Sequence, residues 1–164
     1  MADNQKYIAI MIESLQKKET LLDTLLVKNE AQASCIQGKK YEEIKWDAFN
    51  VLMAEKQTAI DRLNELDDGF ESLYAHVREE LQGSKELYAE EIRLMQTLIT
   101  RITDKGVAIR TGEEKNRQCI EQIMNHTKKE IMHARKSVKA ASDYYKSMSK
   151  SAEAPEARFL DQKK

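Results

Sequence analysis

The sequence predicts an all-α protein, an elongated bundle of long antiparallel helices packed in a coiled-coil-like way, and three observations lead there. One proline and five glycines in 164 residues are too little punctuation for the many turns of a sandwich, a barrel or an α/β fold. Apolar residues recur at alternating spacings of three and four, which lines them up on one side of a helix. Charged residues make up 34% and apolar residues 41%, the balance of a narrow core under a large solvated surface.

The first helix is expected over about 4–36, with Ile8, Met11, Ile12, Leu15, Leu22, Leu25, Leu26, Ala33 and Ile36 at helical spacing and the polar Lys18 and Asn29 filling two seam positions. Asp3 or Asn4 can cap its start with a side-chain oxygen. Gly38 stops it, because glycine tolerates the left-handed conformation of a helix C-terminus. A second helix over about 40–82 follows from Tyr41, Ile44, Ala48, Val51, Leu52, Ala59, Leu63, Leu66, Phe70, Leu73, Val77 and Leu81. Trp46 falls off this stripe and is expected to pack across the short turn onto the first helix, while Gly69 is read as a glycine tolerated inside the helix. The three residues between the first two helices force them to run antiparallel.

Gly83-Ser84 reads as stop and cap, opening a third helix over about 85–147 through Leu87, Ile92, Met95, Leu98, Ile102 and Ile109. Gly106 and Gly112 can be absorbed in one helix with a soft spot, the favoured reading, or can mark a bend where Thr111 caps a separate helix. Beyond them Asn116, Ile120, Ile123, Thr127, Ile131, Ala134, Val138, Ala141, Tyr145 and Met148 form one further stripe with polar flanks. It thins to alanine at 134 and 141, so another helix can approach closely. Residues 1–148 are thus expected to form a single helical-bundle domain. Residues 149–164, with the proline and several small residues, are expected to be a flexible tail in which Phe159 and Leu160 could form a short docking motif.

Function classes narrow quickly. Residues 128–150 carry seven Lys and Arg against Glu130 and Asp143, a local charge of +5 within a chain of net charge -1. A basic helix end can touch nucleic acid or an anionic membrane. Here the basic residues are spread around the helix instead of forming one basic face, so neither nucleic-acid binding nor membrane insertion is expected. Cys35 and Cys119 lack paired spacing and the N-terminus lacks secretory architecture, which points to the cytoplasm and reduced thiols. His126, Glu130 and His133 share a helix side, but the two imidazoles are about 10 Å apart along the axis, too far for one metal. No catalytic constellation is legible, so the expectation is a protein that is not an enzyme and needs no cofactor.

Leu21-Leu22-Asp23-Thr24-Leu25-Leu26, then Ile36-Gln37-Gly38, then Leu52-Met53-Ala54-Glu55-Lys56-Gln57-Thr58-Ala59-Ile60 with Leu63 and Leu66 resembles the FlgN-like flagellar export chaperones. Glu114-Lys115-Asn116-Arg117-Gln118-Cys119-Ile120 is similar to the start of that family's last helix, although Cys119 stands where leucine is usual, and Arg158-Phe159-Leu160-Asp161-Gln162-Lys163 is similar to its C-terminal ends. The resemblance implies a cytoplasmic chaperone that binds hook-filament junction (hook-associated) proteins through a helical client segment and brings them to the flagellar type III export apparatus. It also implies that the C-terminal region engages the client. On this chain the expected partner-binding residues are Ile120, Ile123, Ile131, Val138, Tyr145, Phe159 and Leu160. The alternative is a structural coiled-coil or adaptor protein that self-associates, as a homodimer for example, through the same stripes.

Overall fold

The computed structural model describes residues 2–151, with side chains from 6 to 148. Its order is α1 (Ala2–Ile36), a 3-10 turn (Tyr41–Glu43), α2 (Trp46–Asp68), α3 (Phe70–Gln82) and α4 (Ala89–Ser151), with no strand among the described residues. The all-α class therefore holds. The chain divides into two compact units, Met1–Ile120 and Glu121–Lys164.

In the first unit α1 is the helix on which the others pack. Lys18 meets Asp67 at 2.9 Å, and Lys28 pairs with Glu55. These pairs fall in opposite chain order, so α2 runs antiparallel to α1, and the stack of Tyr7 on His76, with ring centroids 4.6 Å apart, continues that order into α3. By contrast, Glu19 meets Arg101 at 2.8 Å, and Asn29 accepts from Asn116 Nδ2 at 3.1 Å through its backbone carbonyl. Here the numbers rise together. The first half of α4 therefore lies parallel to α1, and the unit is an up-down-up arrangement that the two short connections require.

Two apolar clusters hold it. Ile8, Met11 and Leu15 of α1 bury against Val77, Met95 and Leu98, with Phe70, Leu73, Ile92 and Ile102 around them. Leu22 and Leu25 bury against Ala59 and Leu63, with Ile102 and Ile109 alongside. Each fully buried side chain of this kind contributes about 1.5–3 kcal/mol before its entropy loss. At the level between the clusters Lys105 bridges Asp23 (2.7 Å) and Glu19 (3.2 Å). Its hydrogen bond to Asp23, only partly opposed by lost solvation and reinforced by Glu19, raises the Lys105 pKa. The stabilisation is present below the ordinary lysine value and fades as pH rises through the raised one, so it is constant near neutrality.

Beyond the second cluster the seam turns polar. Asn29, Gln32, Lys56 and Asn116 are all buried. Lys56, only 4% exposed, donates to Gln32 Oε1 at 2.9 Å and pairs with Glu113, joining α2 to α1 and α4 in one layer. Gly112 lies in the same layer, where an added Cβ would sit 3.3 Å from Asn29 Nδ2. That amide donates to the Ile109 carbonyl at 3.4 Å.

Several boundaries follow the expected chemistry and several do not. Gly38 takes φ +70° and ends α1, with Gln37 N–H returning to the Ala33 carbonyl at 2.8 Å. Gly106 and Gly112 are absorbed in α4, and Thr111 donates to the Val107 carbonyl at 3.0 Å inside the helix, so it caps nothing. Gly69, expected within one helix, instead separates α2 from α3: its N–H turns to the Asp67 carbonyl. Asp67 and Asp68 oppose the dipole at that helix end and glycine supplies no propensity to carry the helix on, which accounts for the break. Tyr41 and Ile44 precede α2, and Ile44 is extended (φ -81°, ψ 130°) and buried. Trp46 opens α2. It donates from Nε1 to the Tyr41 carbonyl at 3.3 Å and packs its ring on Tyr41 and Phe49, 5.3 and 5.6 Å between centroids. α1 begins at Ala2, so Asp3 and Asn4 are inside it, and α4 begins at Ala89 after the turns at 83–88, so Ser84 is not its cap.

Two outcomes follow for stability, both measured by urea denaturation. Glu113→Ala leaves a buried ammonium with only the neutral Gln32 and costs about 1–3 kcal/mol, whereas Lys56→Met removes the charge and costs less. Gly106→Ala meets nothing within 4 Å and gains about 0.5–1 kcal/mol, while Gly112→Ala gains less because the Asn29 amide must move.

Candidate functional site

The candidate surface belongs to the second unit, residues 121–148 of α4. Its apolar positions recur as a heptad. Met124, Ile131, Val138 and Tyr145 occupy one set and Thr127, Ala134, Ala141 and Met148 the other, three residues after each of the first. In a folded core such positions are covered. Here Ile131 is 49% exposed, Val138 69%, Tyr145 67% and Met148 52%. Ala134 and Ala141 are exposed as well, and only Thr127 is half-buried.

The expected binding residues thus separate. Ile131, Val138 and Tyr145 stand together on the open stripe, spaced by seven. Ile123 is half-buried, and Met124, 41% exposed, holds the heptad position in its place. Ile120 is half-buried and falls in the first unit. Phe159 and Leu160 lie outside the described residues. A count in strict sevens from Ile131 would have selected Met124 from the sequence. Tyr144 also stands exposed beside the stripe, edge-on to Tyr145 at 5.9 Å between centroids.

The charged edges are solvated. His126 Nε2 contacts Glu130 Oε1 at 2.9 Å one turn apart. Among the described residues no group of three or more His, Cys, Asp or Glu could hold a metal ion. Cys35 and Cys119 are free and half-buried, Cys119 with its thiol 3.9 Å from the Ile36 carbonyl. Among the described residues no helix is long and apolar enough to cross a membrane. In the first unit a groove of about 600 Å³ between α1 and α2 has Leu21 and Leu66 in its lining with Glu13, Lys17, Arg62 and Glu65, whose mixed signs favour no one ligand charge.

What the stripe offers chemically is apolar area with a narrow waist. β-Branched or aromatic side chains alternate with alanine, so a second helix can settle close to the α4 backbone over about four heptads, roughly 40 Å. Such a surface provides shape and burial. No protein-family model, no curated protein and no solved structure matches this chain.

Because the stripe side chains are exposed, Val138→Ala and Tyr145→Ala should change the stability of the protein in dilute solution by no more than about 0.5 kcal/mol. Thermal unfolding monitored by circular dichroism measures this, and a loss several times larger would make the stripe part of the folded core.

Proposed function

We propose that this chain is a non-catalytic chaperone of the FlgN-like type. In this reading it holds a helical segment of a hook-associated protein on the α4 stripe, keeps the client unpolymerised and presents it to the flagellar type III export apparatus in the cytoplasm. One observation carries the binding mode: a heptad stripe of Ile131, Val138, Tyr145 and Met148 stays about half exposed or more on a long helix, from 49% at Ile131 to 69% at Val138. Exposed large apolar residues at regular helical spacing are a docking surface for an amphipathic helix. The flagellar client rests on the residue resemblance alone.

The stripe suits a client that must leave again. Ile131, Val138 and Tyr145 each gain about 1.5–3 kcal/mol on burial, while Thr127, Ala134 and Ala141 add little, and the ordering of both helices subtracts from the total. Moderate affinity and ready release follow. Tighter packing at those three positions would slow delivery.

Replacing Ile123 and Ile131 with aspartate should weaken binding of a helical hook-associated segment at least about 100-fold by calorimetry. Helix content should be kept, since α1, α2 and α3 have their own clusters. A folded variant that binds at wild-type strength would remove the stripe as the client site. A client that binds no tighter than an unrelated amphipathic helix would remove the flagellar assignment.

A further inference from the structure

We propose that in the absence of a client the second unit pairs with a second copy of itself as a parallel, in-register two-stranded coiled coil over residues 124–148. The charges beside the stripe set the orientation of the pair. With Met124, Ile131, Val138 and Tyr145 at the a positions and Thr127, Ala134, Ala141 and Met148 at d, the e edge carries Lys128, Arg135 and Ser142, and the g edge carries Ile123, Glu130, Ser137 and Tyr144.

In a parallel pair each g residue faces the e residue five positions later on the other copy. Glu130 then meets Arg135 of the second copy, and by the two-fold symmetry the contact forms twice. The remaining facing positions set Ile123 against the stem of Lys128 and Ser137 against Ser142, with no like charges opposed. Antiparallel pairing sets the e edge against itself, which brings Arg135 against Arg135 of the other copy with Lys128 facing only Ser142, and gives Glu130 a g edge that holds no cation. Charge therefore selects one orientation.

The free chain is prepared for that contact. Arg135 is exposed, and Glu130, also exposed, contacts His126 through Oε1. The seam chemistry agrees, since β-branched residues at a favour two strands, and Ile131 and Val138 are central. Alanine at 134 and 141 lets the helices approach closely but buries little area, so the pair is weak and reversible. A client helix would compete for the same stripe. The pairing nonetheless stands without the client reading, because it is measured with no client present.

The test uses the full chain. Sedimentation of the wild type should show concentration-dependent dimer. Arg135→Glu should raise the dissociation constant about tenfold, and the exchange E130R/R135E should restore it, because the pair is formed between copies. Ala134→Cys in a C35A/C119A background should cross-link to itself on mild oxidation, as an in-register d position allows. A monomer at every accessible concentration overturns the proposal. So does a dimer that survives I131D/V138D with helix content intact, since the contact then lies elsewhere. An exchange variant as weak as Arg135→Glu, or no cross-link at position 134, overturns the parallel register.

Discussion

The first unit depends on one constraint: α1 must serve as wall for three helical segments at once. Two of them run against it and one runs with it. Its buried positions, Ile8, Met11, Leu15, Leu22, Leu25, Asn29, Gln32 and Ile36, descend one broad stripe at intervals of three and four, with one step of seven from Leu15 to Leu22. Apolar residues at the upper levels would pack in many registers. The layer at Asn29, Gln32, Lys56, Glu113 and Asn116 does not, because a slip of one turn would take a buried ammonium and three buried amides from the partners they have across helices. The layer carries its own cost. Asn29 Oδ1 and Gln32 Nε2 find no hydrogen-bond partner among the described residues. It therefore acts more as a register device than as a source of stability.

The second unit obeys the opposite rule. Its stripe has the spacing of a core and the exposure of a surface. Small residues at 127, 134 and 141 make it a poor core and an adequate bed for a second helix. A client helix and a second copy ask the same geometry of it. Both readings draw on the regularity of the heptad, which a solvated helix face has no physical need to keep.

Most of the fold was legible because helical spacing survives without tertiary context: the stripe on α1, the stop at Gly38, the antiparallel first turn and the uninterrupted run through Gly106 and Gly112. What was not legible depended on contacts between distant residues. Lys56 reads as an ordinary solvated lysine until Glu113 and Gln32 come to it from other helices. Phe49 sits off the counted stripe and is buried, with the Trp46 ring edge-on to it. Glycine propensity alone allows Gly69 inside a helix, whereas Asp67 and Asp68 just before it oppose the helix end as well. Of the expected binding residues, Ile131, Val138 and Tyr145 come together on the stripe, and Ile120 and Ile123 are partly covered. Spacing could place all five on one helix, but exposure is a property of neighbours.

The break at Gly69 has a dynamic consequence. α3 spans thirteen residues, buries only Val77 completely, and is bounded by that glycine at one end and the 83–88 turns at the other. A segment so lightly anchored opens at a lower free energy than the helices flanking it. When it does, Ile8, Met11, Met95 and Leu98 lose their lid on one side while the second cluster and the polar layer stay closed. Amide protons of α3 would then exchange with solvent through partial opening, and those near Leu22, Leu25 and Asn29 only when the whole unit comes apart. The bundle carries a gradient of protection along its axis, loosest where α1 begins.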